Sequence, residues 1–181
     1  KKSFNSKLKL NKNNKLNILI LPNVLQDNVL NSEWSLFKSP YDWFEKTLKY
    51  IKKINNVNWI VKPHPAENFY REELKAKYIF NSLVKNSENI KFLNEDIHIN
   101  NIHKFIDLVI TYNGSCGYEY SALGIPVMIT RTKGFWQKNL FFNNENIIFV
   151  NDFHHKTWIK KINEIFYDDS KLKKISKNAK E

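Results

Sequence analysis

Two short polar segments of the sequence have the residue types and spacing of an anion-binding site. The first is Lys62-Pro63-His64-Pro65, which directly follows the apolar run NWIV. Prolines on both sides of His64 restrict the backbone, so its imidazole would lose little conformational freedom on binding. An imidazole can donate to a phosphate oxygen or transfer a proton. We therefore predict that His64 is a catalytic residue and that Lys62 adds positive charge. A loop histidine bonded to a neighbouring carbonyl, beside a solvated lysine, is the structural alternative.

The second segment follows the apolar run LVIT and contains two glycines, a hydroxyl and a thiol: Asn113, Gly114, Ser115, Cys116 and Gly117. Glycines let a ligand approach the backbone closely, and the N–H groups at the start of a helix favour an anion. We predict that this turn binds a phosphate group. Ser115 is also expected to cap the following helix, whatever the function. An activated thiol at Cys116 has no partner signature to support it.

Two glutamates accompany these segments. Glu119 comes four residues after Ser115, one helical turn away, so its carboxylate can lie beside the same pocket and accept hydrogen bonds from ribose hydroxyls. An exposed helix glutamate is the alternative. Glu67 is expected to cap the helix that follows it and is assigned no chemistry.

The elements that must position these residues alternate along the chain. Apolar β-branched runs predict strands at 16–21, 57–61, 90–93, 107–111, 126–130 and 146–150. Helical periodicity predicts helices at about 39–54, 69–85, 97–105, 115–123, 154–167 and 169–179. This order predicts an α/β fold, a Rossmann-like doubly wound parallel sheet of about six strands with helices on both faces. Ligands of such sheets bind at the carboxyl ends of the strands, where both polar segments fall.

The chain of 181 residues, with 42% apolar residues, is long enough for one domain with its own core. The Lys- and Asn-rich residues 1–15 are predicted to be a solvated linker or arm. Residues 16–181 are predicted to form the domain, with closing helices at 154–181. Because the first residue is not Met and the last segment is still helical in character, we expect the chain to be a piece of a longer protein.

Composition narrows the classes of partner. The formal net charge of +11 suits an anionic partner, but the lysines are scattered and form no basic face with interleaved aromatics. Contact with an anionic membrane surface is therefore favoured over nucleic acid, and background charge over both. The apolar runs are too short to span a bilayer, and one cysteine gives no disulfide framework, so a cytoplasmic setting is expected. No metal-ligand spacing occurs, and we predict no metal or other cofactor.

With KPHP after one strand and TYNGSCGYEYSALGIPV further on, the sequence resembles the carboxyl-terminal, donor-binding domain of GT-B glycosyltransferases. It is most similar to the capsule and lipopolysaccharide synthesis group that includes Kdo transferases. The resemblance covers roughly residues 16 to 165. It rests on those two motifs and on the SPYDWFEKTL helix.

The resemblance implies specific roles at these positions. His64 would meet the phosphate of a nucleotide-activated sugar, in particular a cytidine monophosphate sugar such as CMP-Kdo. Ser115 and the turn amides would hold the same phosphate, and Glu119 would bind the ribose. Relatives often carry a second hydroxyl where this sequence has Cys116, so that contact is not implied. The general base and the site for a polysaccharide or glycolipid acceptor would come from an amino-terminal domain, leaving this chain inactive alone.

Two other functions are compatible with the sequence. A nucleotide-sugar epimerase of similar architecture would interconvert a uridine diphosphate sugar without an acceptor. A noncatalytic module that binds an anionic polymer or nucleic acid would show a steep salt dependence and no competition by nucleotide.

Overall fold

A computed structural model describes residues 4, 6, 8–11, 13, 16–26, 37–84, 87–94, 97–98, 101–112, 114–130, 145, 148–150 and 155–179. Its centre is one parallel sheet, consistent with the apolar runs, whose residues are buried on both faces. The strands are β1 (Asn17–Leu21), β2 (Asn58–Val61), β3 (Ile90–Phe92), β4 (Leu108–Thr111), β5 (Val127–Thr130) and β6 (Ile148–Val150). Their order across the sheet is β3-β2-β1-β4-β5-β6. The prediction of a doubly wound parallel α/β sheet is confirmed.

Helices cover both faces of this sheet. They are α1 (Pro40–Ile51), α2 (Ala76–Leu83), α3 (Cys116–Ala122), α4 (His155–Tyr167) and α5 (Asp169–Asn178). Alternate side chains of the central strands β1, β2, β4 and β5 enter two separate cores. One core lies under α1, α2, α4 and α5, and the other holds α3 with the segment before β4. Among the described residues, no helix is both long and apolar enough to cross a bilayer.

Helix α1 forms as the sequence predicts. The Ser39 hydroxyl accepts a hydrogen bond from the Asp42 N–H at 3.1 Å, and Pro40 occupies the first turn, where its missing N–H costs nothing. The apolar stripe that includes Trp43, Phe44 and Leu48 is fully buried against the sheet. This helix therefore joins β1 to β2 across one face.

The helix predicted from 69 to 85 is shorter than expected. Two 3-10 turns, Pro65–Phe69 and Glu72–Leu74, come first, and α2 begins only at Ala76. Lys75 is extended, with φ −81° and ψ 149°, which ends the turns before the helix begins. Phe69 is 90% exposed, so the residues before Ala76 supply no apolar face to pack. The stripe that packs starts with Ala76 and Ile79 instead.

Other predicted boundaries also change. Of the helix expected at 97–105, the described part contains only a 3-10 turn, His103–Phe105. The last strand is described from Ile148 to Val150, and its predicted start at 146 lies outside the described residues. The two closing helices start at His155 and Asp169.

The segment before β1 is not simply solvated. Phe4 and Leu10 are buried, and the Phe4 ring stacks on Phe105 with ring centroids 4.5 Å apart. Both side chains join the core that contains α3. The prediction of a solvated segment is therefore wrong at these two positions, because both apolar side chains pack in a core formed by residues far along the chain.

We expect Phe4→Ala to lower the free energy of unfolding by about 2 kcal/mol, because it removes a stacked, buried ring. Asn13→Ala, an exposed position in the same arm, should change it by less than about 0.5 kcal/mol. Urea unfolding of both variants measures the difference. Equal stability of the two variants would show that the arm is an unpacked linker after all.

Candidate functional site

The strand order places the two polar segments on either side of β1. Strand β1 pairs in parallel with β2 through Ile20 and Val61 and with β4 through Leu21 and Thr111. The chain therefore leaves β1 at the point where the strand order reverses, and sheets of this kind bind their ligands at the carboxyl ends beside that point. The ends of β2 and β4 are two strand spacings apart, about 10 Å. His64 follows β2 at this edge and the glycine turn follows β4.

His64 is exposed and held in one arrangement by its own turn. It precedes the 3-10 turn Pro65–Phe69 with an extended backbone, φ −71° and ψ 136°. Its Nδ1 accepts a hydrogen bond from the Ala66 N–H at 3.1 Å. Because an acceptor nitrogen carries no proton, the neutral imidazole must hold its proton on Nε2. The Nε2–H is therefore the group that neutral His64 can offer to an anion.

Lys62 is not a solvated surface lysine. The residue is only 7% exposed, and its backbone N–H donates to the Ile20 carbonyl at 3.0 Å, which extends the pairing of β2 with β1. Lysine is rarely buried unless its charge is compensated. Its burial at the carboxyl end of β2 removes the solvated alternative.

The turn after β4 is built differently from the prediction at Ser115. The Ser115 backbone is already helical, with φ −55° and ψ −27°, and its hydroxyl makes no capping hydrogen bond. A cap needs an extended backbone to bring its oxygen back to the helix amides, so the predicted cap is wrong. The hydroxyl lies instead 3.4 Å from Oε1 of Glu119. Asn113 lies outside the described residues.

Backbone amides at this turn divide into two groups. The Gly117 N–H donates to the Gly114 carbonyl at 3.0 Å, and the Tyr118 N–H donates to Ser115 at 2.9 Å. The N–H groups of Ser115 and Cys116 have no backbone acceptor within the described residues. An anion at this turn would meet the amides of Ser115 and Cys116. The Gly117 N–H is already paired with the Gly114 carbonyl, and the predicted part of Gly117 in anion binding stays a prediction.

Gly117 is a glycine because of the sheet beneath it. A Cβ at this position would lie 3.4 Å from Thr111 Cγ2 and 3.6 Å from Ile129 Cδ1. The residue is buried where α3 approaches β4 and β5. Its small size therefore serves helix-to-sheet packing, and close approach of a ligand is not needed to explain it.

Gly114 lies next to Asn23, a residue that the sequence analysis did not single out. A Cβ on Gly114 would lie 3.1 Å from Oδ1 of Asn23, in the loop that follows β1. On the other side of the same loop, Nε2 of Gln26 donates to the Leu74 carbonyl at 2.7 Å. The loop after β1 thus spans from the β4 turn to the segment before α2. The position of Asn23 in the sequence could have identified it, because it closely follows β1, the strand at which the order of the sheet reverses.

The Cys116 thiol turns toward the sheet. Its Sγ lies 3.5 Å from Oγ1 of Thr111, and that hydroxyl donates to the Leu21 carbonyl at 3.0 Å. Burial raises the pKa of the Cys116 thiol, and the contact with Thr111 and the nearby backbone amides oppose that change only in part. A reactive cysteine needs the opposite shift. Cys116 contributes its amide to the turn, and its side chain serves packing.

Glu119 is exposed on the first turn of α3, one turn from Ser115 as predicted. The 3.4 Å contact with the Ser115 hydroxyl places its carboxylate beside the turn. A carboxylate there can accept hydrogen bonds from vicinal hydroxyls. Within the described residues, no group of three histidine, cysteine or acidic side chains comes together as a metal site, and the absence of a cofactor stays a prediction.

No protein-family model and no curated protein matches the chain. Solved structures do. The C-terminal domain of LpcC, a glycosyl transferase group 1 family protein from Francisella tularensis, has a TM-score of 0.58 at 17% identity, with 99% of this chain and 88% of that domain covered. HepE from Anabaena, in complex with UDP and glucose, has a TM-score of 0.65 at 19% identity, with 99% and 46% covered.

A third similar structure has a different assignment. A protein from Listeria monocytogenes assigned as a UDP-N-acetylglucosamine 2-epimerase has a TM-score of 0.61 at 13% identity, with 92% of this chain and 40% of that one covered. The present chain thus spans less than half the length of the HepE and Listeria chains. The comparisons establish the Rossmann-like fold of the C-terminal domains of GT-B glycosyltransferases.

The two glycines of the turn should respond differently to alanine. Gly117→Ala should leave stability unchanged or raise it by up to about 1 kcal/mol, because its Cβ meets only ordinary contacts and favours the helix. Gly114→Ala should cost about 1 kcal/mol, because its Cβ would crowd the buried Cys116 sulfur and Asn23. Thermal unfolding of the pair measures both. Equal effects at the two sites would contradict the described turn.

Alkylation of Cys116 in the folded protein should be slow at neutral pH. Since burial raises its pKa, the thiolate appears only above the ordinary thiol range, and the rate should rise there. Iodoacetamide labelling followed by mass spectrometry at increasing pH gives the profile, with the urea-unfolded chain as reference. Faster labelling of the folded chain at pH 7 would identify an activated thiol instead.

Proposed function

We propose that this chain binds the nucleotide of an activated sugar and serves as the donor-binding domain of a glycosyltransferase. The observation that carries the proposal is the placement of His64 and the 114–117 turn on the two sides of β1, at the strand edge where such sheets bind ligands. The fold likeness to LpcC and to HepE, which was solved with UDP and glucose, supports the same reading.

The donor phosphate would lie between the two segments. His64 donates from Nε2, because Nδ1 is occupied by the Ala66 N–H. From the other side come the amides of Ser115 and Cys116 beside Gly114, and Lys62 adds positive charge behind the imidazole. Negative charge develops on the departing nucleotide phosphate during glycosyl transfer, and fixed donors at that position lower the barrier. His64 is the catalytic residue of this chain in the proposed mechanism.

The sugar of the nucleotide would lie further along α3. Glu119 projects from the same turn as Ser115 and accepts hydrogen bonds from the ribose hydroxyls. The loop after β1 borders the opposite side of the crevice, and Asn23 can bond to a donor there. The mechanism uses no metal: Lys62 supplies positive charge, and His64 and the turn amides donate hydrogen bonds to the phosphate.

For the whole enzyme, we propose a cytidine monophosphate sugar such as CMP-Kdo as the donor and a bacterial surface polysaccharide or glycolipid as the acceptor. The motifs KPHP and NGSCG support this choice, while the UDP complex of HepE makes uridine diphosphate the main rival donor nucleotide. An amino-terminal domain would supply the general base and the acceptor site. The enzyme would act in the cytoplasm, at the inner face of the membrane.

Epimerization is the second candidate function. The likeness to the Listeria protein assigned as a UDP-N-acetylglucosamine 2-epimerase favours it. An epimerase would convert a uridine diphosphate sugar with no acceptor present. Incubation of the full-length protein with a uridine diphosphate sugar and no acceptor separates the two functions, because only an epimerase would interconvert the sugar.

Nucleotide binding by the present chain tests the proposal. We expect CMP or UDP to raise the melting temperature, because a ligand that binds only the folded state stabilises it. His64→Ala should weaken that nucleotide by about 10- to 100-fold, the worth of a hydrogen bond to a charged group. Glu119→Ala should weaken it by about tenfold for the same reason. Calorimetric titration gives the dissociation constants.

Matched controls come from the opposite edge of the sheet. Glu88 precedes β3 and His103 precedes β4, both at the amino ends of the strands. Glu88→Ala and His103→Ala should leave the dissociation constant unchanged. If no nucleotide stabilises the wild type, or if the control variants weaken binding as much as His64→Ala, the proposal fails.

A further inference from the structure

Glu67 is a buried carboxylate outside the proposed phosphate contacts. The residue is 2% exposed, in a segment where its neighbours His64, Pro65 and Asn68 are exposed. Glutamate is almost never fully buried unless it is paired. Here Oε2 accepts a hydrogen bond from the Ala76 N–H at 3.0 Å, so the side chain caps the start of α2 from nine residues away. This confirms the predicted cap, and a carboxylate at a helix start is electrostatically favourable.

The backbone of Glu67 is equally engaged in the turn that begins at His64. Its N–H donates to the His64 carbonyl at 3.0 Å, and its own carbonyl accepts from the Tyr70 N–H at 3.0 Å. The side chain therefore attaches the middle of the Pro65–Phe69 turn to the first residue of α2. Without that attachment, one 3-10 turn would have to hold its shape at the protein surface, where such short turns are weak.

The same turn fixes the chemistry of the His64 ring. Ala66, the residue before Glu67, donates the N–H that occupies Nδ1 of His64. That bond exists only while the turn keeps its shape, and it decides which nitrogen carries the proton. Since Ala66 and Glu67 are adjacent, the position of the buried Glu67 carboxylate affects which tautomer the exposed His64 ring adopts.

We propose that Glu67 is a positioning residue for His64. Its carboxylate holds the Pro65–Phe69 turn against α2 and thereby keeps the neutral imidazole in the form that has its proton on Nε2. Burying a carboxylate is costly, and a cap alone could be provided more cheaply by a side chain at Lys75. The consequence for nucleotide affinity rests on the proposed function, whereas the consequence for the ring does not.

Nitrogen-15 NMR of the histidine side chains tests the link without any nucleotide. At about pH 8.5 an ordinary imidazole is neutral. In the wild type, His64 should show an unprotonated Nδ1 and a protonated Nε2, and the Ala66 amide should be protected from exchange. In Glu67→Ala the ring signals should move toward those of an unconstrained imidazole, and Ala66 should exchange about tenfold faster. Glu67→Gln keeps an acceptor oxygen and should restore both signals.

Ser39→Ala is the matched control, because it removes a cap from α1 without touching the His64 turn. It should lower the melting temperature yet leave the His64 and Ala66 signals unchanged. If Glu67→Ala does not fold, Glu67→Asp is the second variant; its shorter side chain makes a longer and weaker contact with the Ala76 N–H, so it should give the same change at smaller size. Wild-type signals in a folded Glu67→Ala or Glu67→Asp protein would overturn the proposal.

Binding separates this proposal from the one on which it rests. With CMP and UDP as probes, Glu67→Ala should raise the dissociation constant of the bound nucleotide by about tenfold, since a misplaced donor loses its hydrogen bond. Ser39→Ala should not change it. If Glu67→Ala changes the His64 ring signals but the wild type binds no nucleotide, the role of Glu67 is supported and the proposed function is refuted. If the wild type binds nucleotide but Glu67→Ala leaves the ring signals unchanged, the proposed function is supported and the role of Glu67 is refuted.

Discussion

The parallel pairing of β1 with both β2 and β4 is the constraint on which the rest of the structure depends. Four consecutive residue pairs on each side of β1 fix the register, so the chain leaves all three strands at the same edge. Strands β2 and β3 lie on one side of β1, and strands β4, β5 and β6 lie on the other. The crossover helices α1 and α3 therefore lie on opposite faces of the sheet. The segments that follow β2 and β4 therefore leave the sheet on the two sides of β1. A one-residue slip in either pairing would turn the strand's side chains to the wrong core and separate His64 from the β4 turn.

Several polar groups at this edge are hydrogen-bonded to the strands or to neighbouring segments. Thr111 bonds to the last carbonyl of β1, and Lys62 extends the pairing of β2. The His64 turn is fixed to α2 by Glu67, and the β1 loop reaches both sides through Asn23 and Gln26. The exposed groups, His64, Ser115 and Glu119, are thus held by a layer of bonded residues beneath them. Such preorganisation is what a site needs to stabilise charge without rearrangement.

The parts of the fold that the sequence predicts are those with a local physical cause. After their first asparagine, runs such as NILIL and NWIV are apolar at every position, because both faces of a central parallel strand are covered. Ser39 and Pro40 mark the start of α1 by their own backbone preferences. The position of His64 after β2 and of the glycines after β4 follows from those strands.

The parts that sequence reasoning missed depend on distant contacts. Phe4 is buried by Phe105, which is about a hundred positions away, and no local pattern reports that pairing. Helix α2 starts at Ala76 because residues 69–75 have no face to pack. Ser115 has the residue type of a cap but a helical backbone, so its hydroxyl turns to Glu119. Gly117 resembles a ligand-binding glycine in sequence, yet its contacts are with β4 and β5.

The most direct test of a shared crevice is an NMR titration of the isotope-labelled chain with CMP and with UDP. If His64 and the turn after β4 bind the same nucleotide, the Nε2 signal of His64 and the amide signals of Ser115 and Cys116 should move together and saturate at the same nucleotide concentration. Movement on one side of β1 only, with the other side unchanged at saturation, would contradict it.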